Sequence, residues 1–404
     1  MSKHTAYQPP TKSNKGNADS ETEDLVSKNK NANLHFSPSH RPAAFRYHPI
    51  VFLFERTYCI MLWENFPMTV SVEINGQIFY DDTCGVLCSS SPIHKILVPM
   101  EQLDAAGSYT ISYKMVIKRV PAFTEISPDN RITYPFFPLP KGDSFTLCQI
   151  SDSHAHDRLA VSAASYRPFD LLILSGDLQN EIQTTEDYAH MYRIASALTH
   201  GRLPVLYARG NHDCRGAAAE KIAEFTPALP TRAYYFSQLS NISFLVLDCG
   251  EDKPDDHAEY GGTVCFSAYR EKQSVYLHAL FDHAVPDTSK YRILISHTPF
   301  SYTDHPPFDI EQERYAQWLA LLKAHYAPHI MICGHLHQAQ FSPIGGILDS
   351  KGQICPVVIG CDSPGHSPDG NKMSVCYYRF TKNTIEIELV DQDGKRTFLS
   401  TVEI

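Results

Sequence analysis

In the segment LYARGNHDCRG, residues 206–216, an apolar run ends in an amide, an imidazole and a carboxylate. Polar groups at the end of a buried strand are costly unless something there engages them. The same break recurs along the chain. FTLCQI runs into Asp152 and His154, FDLLILSG into Asp177, YRILIS into His297, and IMICG into His335 and His337. Between these runs lie stretches of helical spacing, TEDYAHMYRIASALTH (with Met191, Ile194 and Leu198 in phase) and IEQERYAQWLALLKAHY. Apolar strands alternating with helices predict an α/β fold whose sheets are largely covered on both faces. Ligand sites in such folds gather where the strands end. The polar residues after residues 150, 174, 207, 296 and 333 are therefore read as one site.

The rest of the chain divides by composition. Residues 1–40 are polar and poor in apolar side chains, which predicts a disordered tail. Residues 41–125 alternate: Val70, Val72 and Ile74 fall on one face, Ser71, Glu73 and Asn75 on the other, and INGQ supplies an Asn-Gly hairpin turn. This pattern predicts a small, fibronectin-III-like all-β sandwich domain. Residues 126–143 are Pro-rich and read as a linker. Residues 144–404 form the expected catalytic domain, which closes with the strand-like SVCYYRF, TIEIELV and TFLSTVEI.

Bulk properties exclude several roles. A net charge of −10 is unsuited to wrapping nucleic acid, which needs clustered Lys and Arg. No apolar run reaches the roughly 18 residues of a membrane span, and the N-terminus lacks the apolar core of a signal peptide. The 11 cysteines sit mostly in apolar runs, as reduced buried thiols do. A cytoplasmic location follows as an expectation. A homo-oligomer built on the sandwich edge is compatible with the sequence.

The chemistry of the recurrent residues is that of a pair of divalent metal ions. Imidazole and carboxylate together suit Mn, Fe or Zn, and one Asp can bridge two ions with its two oxygens. Such a pair clamps a phosphoryl group and holds a bridging hydroxide for in-line attack.

The blocks DSH (152–154), GD (176–177), GNHD (210–213), His297 in SHTPF and GHLH (334–337) resemble, in order, the pattern of the calcineurin-like metallophosphoesterase superfamily. One block such as GNHD arises by chance at on the order of one position in a hundred thousand. The resemblance spans about residues 144–361. It implies a two-sheet β-sandwich flanked by helices. It also implies that Asp152, His154 and His337 hold one metal, that Asn211, His297 and His335 hold the other, and that Asp177 bridges them. By the same resemblance His212 protonates the leaving oxygen or stabilises its charge, and Asp213 sits behind His212 to orient it.

The preceding β-sandwich is similar in layout to purple acid phosphatases, but Asn180 in GDLQN stands where those enzymes carry a metal-binding Tyr, so no tyrosinate colour is expected. The implied activity is hydrolysis of small phosphate mono- or diesters. The alternative is a non-catalytic metal-binding interaction protein on the same fold.

Overall fold

The computed structural model describes residues 41–283, 289–302, 305–366 and 370–404. The tail expected over residues 1–40 lies outside them. In chain order the strands are β1 (Ile50–Phe54), β2 (Thr57–Trp63), β3 (Met68–Ile74), β4 (Gln77–Tyr80), β5 (Ile93–Pro99), β6 (Ser108–Val120), β7 (Phe123–Ile126), β8 (Asn130–Pro135), β9 (Phe145–Ile150) and β10 (Leu171–Leu174). They continue as β11 (Pro204–Tyr207), β12 (Tyr235–Leu239), β13 (Ile242–Leu247), β14 (Tyr291–Ser296), β15 (Ile330–Cys333), β16 (Gln340–Ser342), β17 (Val357–Ile359), β18 (Ser374–Phe380), β19 (Thr384–Asp391) and β20 (Arg396–Glu403). The α-helices among the described residues are α1 (Met100–Ala106), α2 (Asp157–Ala164), α3 (Ala189–Thr199), α4 (Ile222–Phe225), α5 (Phe266–His283) and α6 (Gln312–His325).

Two sheets face each other. One has nine strands in the order β20-β19-β18-β9-β10-β11-β1-β2-β5, the other six in the order β12-β13-β14-β15-β17-β16. The strands that end in the polar blocks are parallel within each sheet: β9, β10 and β11 in the first, β14 and β15 in the second. Their side chains alternate between two buried environments, as a period of two demands. Leu171, Ile173, Ile293, Ile295, Ile330 and Ile332 fill the space between the sheets. Leu172 and Leu174 pack outward with Ile194 and Leu198 of α3. Leu294, Met331 and Cys333 pack outward with Trp318, Leu319 and Leu322 of α6. The order is helix, sheet, sheet, helix, a two-sheet α/β sandwich flanked by helices.

Gln149, with no exposed surface, spans the interior beneath the site. Its Nε2 donates to Ser175 Oγ at 2.8 Å and to the Cys333 carbonyl at 2.9 Å, and its Oε1 accepts from Tyr378 at 2.6 Å. It joins the two sheets just below the strand ends.

The N-terminal segment is nearly all β, with α1 as its one helix among the described residues, but its strands are shared out in a way the alternation did not convey. β1 pairs in parallel with β11, and β2 and β5 continue the nine-stranded sheet. The other strands, β3, β4, β6, β7 and β8, form a separate five-stranded sheet. The boundaries drawn at 41–125 and 126–143 therefore do not coincide with breaks in the hydrogen bonding, since β8 lies within the expected linker and pairs with β6. The reason lies in β1 itself. All five residues of IVFLF are buried, and a strand covered on both faces belongs in the middle of a sheet.

A polar cluster also joins the two regions. His94, on β5, has no exposed surface; its Nε2 is 2.8 Å from Glu64 Oε1 and its Nδ1 is 3.3 Å from Asp81 Oδ2. The longer contact is an ion pair without hydrogen-bond alignment. Next to it, Lys95 Nζ donates to the carbonyls of Ala223 and Ala228 at 2.7 and 3.0 Å. Burial works against a charged His94, but the carboxylates of Asp81 and Glu64 beside it outweigh that and raise the imidazole to about 9. Burial also pushes Glu64 up to about 7, so Asp81 supplies the firmer counter-charge.

A folded-state value above the unfolded 6.5 stabilises the fold fully below pH 6.5, and that contribution is lost as pH rises toward about 9. His94→Gln is expected to cost about 3–5 kcal/mol near neutral pH, the usual loss when one partner of a buried pair is removed. Denaturant unfolding followed across that window should show the deficit of the variant shrinking as pH rises and His94 in the wild type loses its proton.

Candidate metal centre

The five parallel strand ends converge on one spot. Asp152 and His154 follow β9, Asp177 follows β10, Asn211 and His212 follow β11, His297 follows β14, and His335 and His337 follow β15. Asp152, His154, Asp177 and His337 can each offer one ligand atom such that all lie within 4.8 Å of one another, and so can Asp177, His297 and His335. The two groups share Asp177. Asn211 joins the second: its Oδ1 is 3.1 Å from His297 Nε2 and 3.1 Å from His335 Nδ1. Every residue read from the sequence as a ligand is thus brought into one cluster.

The backbone bends sharply to achieve this. Asp152, His154, Asp177, His335 and His337 all have positive φ, between 43° and 69°, a region side-chain-bearing residues rarely occupy. Strain of this kind persists where the surroundings fix it and clusters at functional sites. Glycine is required where the turns cross. A Cβ on Gly334 would collide with Ser151 Oγ and Asp152 Oδ2. One on Gly176, whose φ is +93°, would lie 2.5 Å from Gly210 Cα.

The donor set fits divalent cations. Asp152 and Asp177 have no exposed surface. Burial opposes their ionisation, but His297 beside both holds each carboxyl below its ordinary range. Burial likewise disfavours charge on His297, and the two carboxylates override it, raising the ring to about 10. His154 and His335 go the other way, to about 4, chiefly through burial. Two buried anions, met by His297 and flanked by His154 and His335, which resist protonation, form a site suited to cations.

The orientation of the ligands agrees. His297 Nδ1 donates to the Ser175 carbonyl at 2.7 Å, which leaves Nε2 as the free nitrogen facing Asp177 at 3.0 Å. His335 turns Nδ1 inward, and its Nε2 lies 4.0 Å from Asp252 Oδ2. Outer carboxylates and carbonyls fix metal-binding imidazoles in this way. One terminal atom of the Asn211 amide faces Asp177 Oδ2, His297 Nε2 and His335 Nδ1, each at 3.1 Å. Without a cation those acceptors call for the amide nitrogen there, with the amide oxygen accepting from Arg215 Nη2 at 3.0 Å; a bound cation would call for the oxygen instead.

His212 stands at the edge of the cluster, its ring 4.9 Å from that of His154. Its backbone N–H donates to Asp177 Oδ1 at 2.8 Å, its Nδ1 donates to the Asn180 carbonyl at 2.6 Å, and its Nε2 accepts from Arg215 Nη1 at 3.1 Å. The expectation for Asp213 needs correction. Its carboxylate accepts from the Gly210 N–H at 2.7 Å and from Gln179, and reaches the Asp177 N–H at 3.4 Å. Asp213 pins the turn that carries Asn211 and His212, and the Asn180 carbonyl orients the His212 ring. Burial and the charge of Asp177 raise Asp213 to about 6.

Other side chains take structural positions. Arg209 is a buried brace, 2.6 Å from Asp248 and stacked over Tyr269 and Phe266, with no route to the cluster. His156 bonds back to the Ser153 carbonyl at the start of α2. The sequence reading did not single out Asp252 or His366, whose ring lies 4.2 Å from that of His337. Asp252 belongs to an acidic loop, 248–262, and His366 to the turn after β17; neither has a local pattern pointing to the site.

Residues 145–339 match the family model described as calcineurin-like phosphoesterase, so this part of the chain is a calcineurin-like phosphoesterase domain. No curated protein matches the sequence. Among solved structures, purple acid phosphatase PPD1 from yellow lupin (Lupinus luteus) seeds is similar at a TM-score of 0.55 and 12% identity, over 88% of this chain and 74% of that one. That likeness establishes a shared fold that includes the N-terminal segment. A predicted phosphoesterase from Streptococcus pneumoniae aligns over 65% of this chain and 97% of its own, at 12% identity and a TM-score of 0.30. Vps29 from Chaetomium thermophilum aligns over 64% and 97%, at 11% identity and a TM-score of 0.28.

Asp252→Asn is expected to weaken binding of Mn by about 10–100-fold, the usual effect of removing an outer partner of a metal-binding imidazole. Titration of metal-stripped protein with Mn, read calorimetrically, checks this.

Proposed function

We propose that this protein is a phosphoesterase that uses two divalent metal ions, Mn, Fe or Zn, to hydrolyse phosphate mono- or diesters. The observation that carries the reading is the pair of ligand groups sharing Asp177. Asp152, His154 and His337 would hold one ion, Asn211, His297 and His335 the other, with Asp177 common to both. Bound there, the ions supply Lewis acidity and a nucleophile at neutral pH.

The chain's own residues do the rest. Asp152 and Asp177 contribute the negative charge that retains the ions. The Ser175 carbonyl keeps the ring of His297 turned the right way, and Asp252 places a negative charge near the outer nitrogen of His335. His212, with Nδ1 held by the Asn180 carbonyl, would act as the general acid only in its doubly protonated form, with Nε2 released from Arg215 Nη1 and turned to the leaving oxygen. Asp213 acts through the turn, by holding Gly210 and so the position of His212. Membrane insertion forms no part of the proposal: no described helix is long and apolar enough to cross a bilayer. The free cysteines are in keeping with a reducing, cytoplasmic setting.

Metal-stripped protein reloaded separately with Mn, Zn or Fe should cleave bis(p-nitrophenyl) phosphate or p-nitrophenyl phosphate, and Asp177→Asn should abolish the activity. His212→Ala should lower kcat by about 10²–10⁴-fold, the range for loss of a general acid, with metal content unchanged. Protein that binds two metals yet cleaves neither ester would instead be a metal-binding interaction protein.

A further inference from the structure

Resting on the phosphoesterase reading, we infer that the groove beyond Arg215 is the site of the leaving alcohol, and that it takes a bulky alcohol that is uncharged or cationic. The groove encloses about 840 Å³, within the roughly 300–1,000 Å³ of ligand-binding pockets.

Its place relative to the metal centre follows from the two partners of His212. Nδ1 is held by the carbonyl of Asn180, whose neighbour Glu181 lines the groove; Nε2 faces Arg215, which also lines it. The nitrogen that would give its proton to the leaving oxygen therefore lies beside a residue of the groove wall. Arg215 also lies 3.0 Å from the outer atom of the Asn211 amide, so the groove and the metal cluster share a wall.

That wall is preformed. Arg215 grips Glu251 with two hydrogen bonds of 2.8 and 2.9 Å. Glu251 is 1% exposed, and it is held in turn by the Tyr260 hydroxyl at 3.1 Å and, through its carbonyl, by Arg270 at 2.6 Å. A bidentate pair of this kind is rigid.

Charge sets the selectivity. The three arginines on the groove are each neutralised: Arg209 by Asp248, Arg215 by Glu251 and Arg232 by Glu55. Glu181 and Glu220 also line the groove, both exposed, and have no ion-pair partner among the described residues. Their uncompensated charge repels an anionic alcohol. Tyr260, Phe266 and Tyr269 supply apolar surface for a large one.

The test uses Mn-loaded protein and phenyl 2-naphthyl phosphate, whose two leaving groups are similar in acidity and differ in size. Hydrolysis releases either 2-naphthol with phenyl phosphate or phenol with naphthyl phosphate, and chromatography gives the ratio. Wild type is expected to favour 2-naphthol by about tenfold over the uncatalysed ratio, a modest value for an apolar pocket. Ala217→Trp and Thr231→Trp, both in the groove lining, should each bring the ratio back toward the uncatalysed one while bis(p-nitrophenyl) phosphate is still cleaved.

A carboxylate on the naphthyl ring should reduce naphthol release in wild type, and Glu181→Lys combined with Glu220→Lys should restore it. Cleavage with the uncatalysed ratio, or with a ratio unchanged in both tryptophan variants, overturns the groove assignment and leaves the phosphoesterase reading standing. Wild type that cleaves none of these esters with any metal overturns both.

Discussion

Two carboxylates, Asp152 and Asp177, are buried without exposed surface at the same sheet edge. Like charges in a dry site repel, and each has lost its hydration. Positive charge between them makes the arrangement tolerable, and His297, 3.0 Å from one and 3.9 Å from the other, meets part of the need. The rest of the site follows from this demand. His297 is anchored by its outer nitrogen to the Ser175 carbonyl, the Asn211 amide joins it, and the backbone accepts left-handed conformations at five positions of the cluster.

The fold supplies the rigidity that holds the cluster. Strands covered on both faces cannot slip by one residue without burying the wrong side chains. β10 and β15 each place two residues between the sheets and two against helices, which locks their register. Gln149 ties the sheets together directly beneath the ligands, and the turns at Gly176, Gly210 and Gly334 cross so closely that a single added carbon would push ligand-bearing backbone apart. Asp213 belongs to this scaffold: its bonds fix the turn, and the turn fixes His212.

The N-terminal segment shares a sheet with the phosphoesterase domain, which a merely linked domain would not. β1 is a central strand of the larger sheet, next to β11, which carries Asn211 and His212 at its end. Lys95 on β5 reaches over to the carbonyls around α4, close to the groove lined by Ile222 and Ala228. Packing changes in this segment are thus mechanically connected to one side of the site.

The sequence by itself determined which residues meet in the cluster and in what order, because each directly follows an apolar run and the break from apolar to polar is a local signal. It also determined the α/β rhythm, through periodicities that are likewise local. Tertiary structure decided what touches what. That β1 pairs with β11 as well as with its sequence neighbour β2 depends on hydrogen bonds across more than a hundred residues. The partner of His212 proved to be a backbone carbonyl, which no side-chain pattern encodes. Asp252, His366 and the Arg215–Glu251 pair reach the site through loops, whose paths are set by the elements they join. Contacts of that kind come from chain closure in three dimensions, and a one-dimensional pattern carries no trace of them.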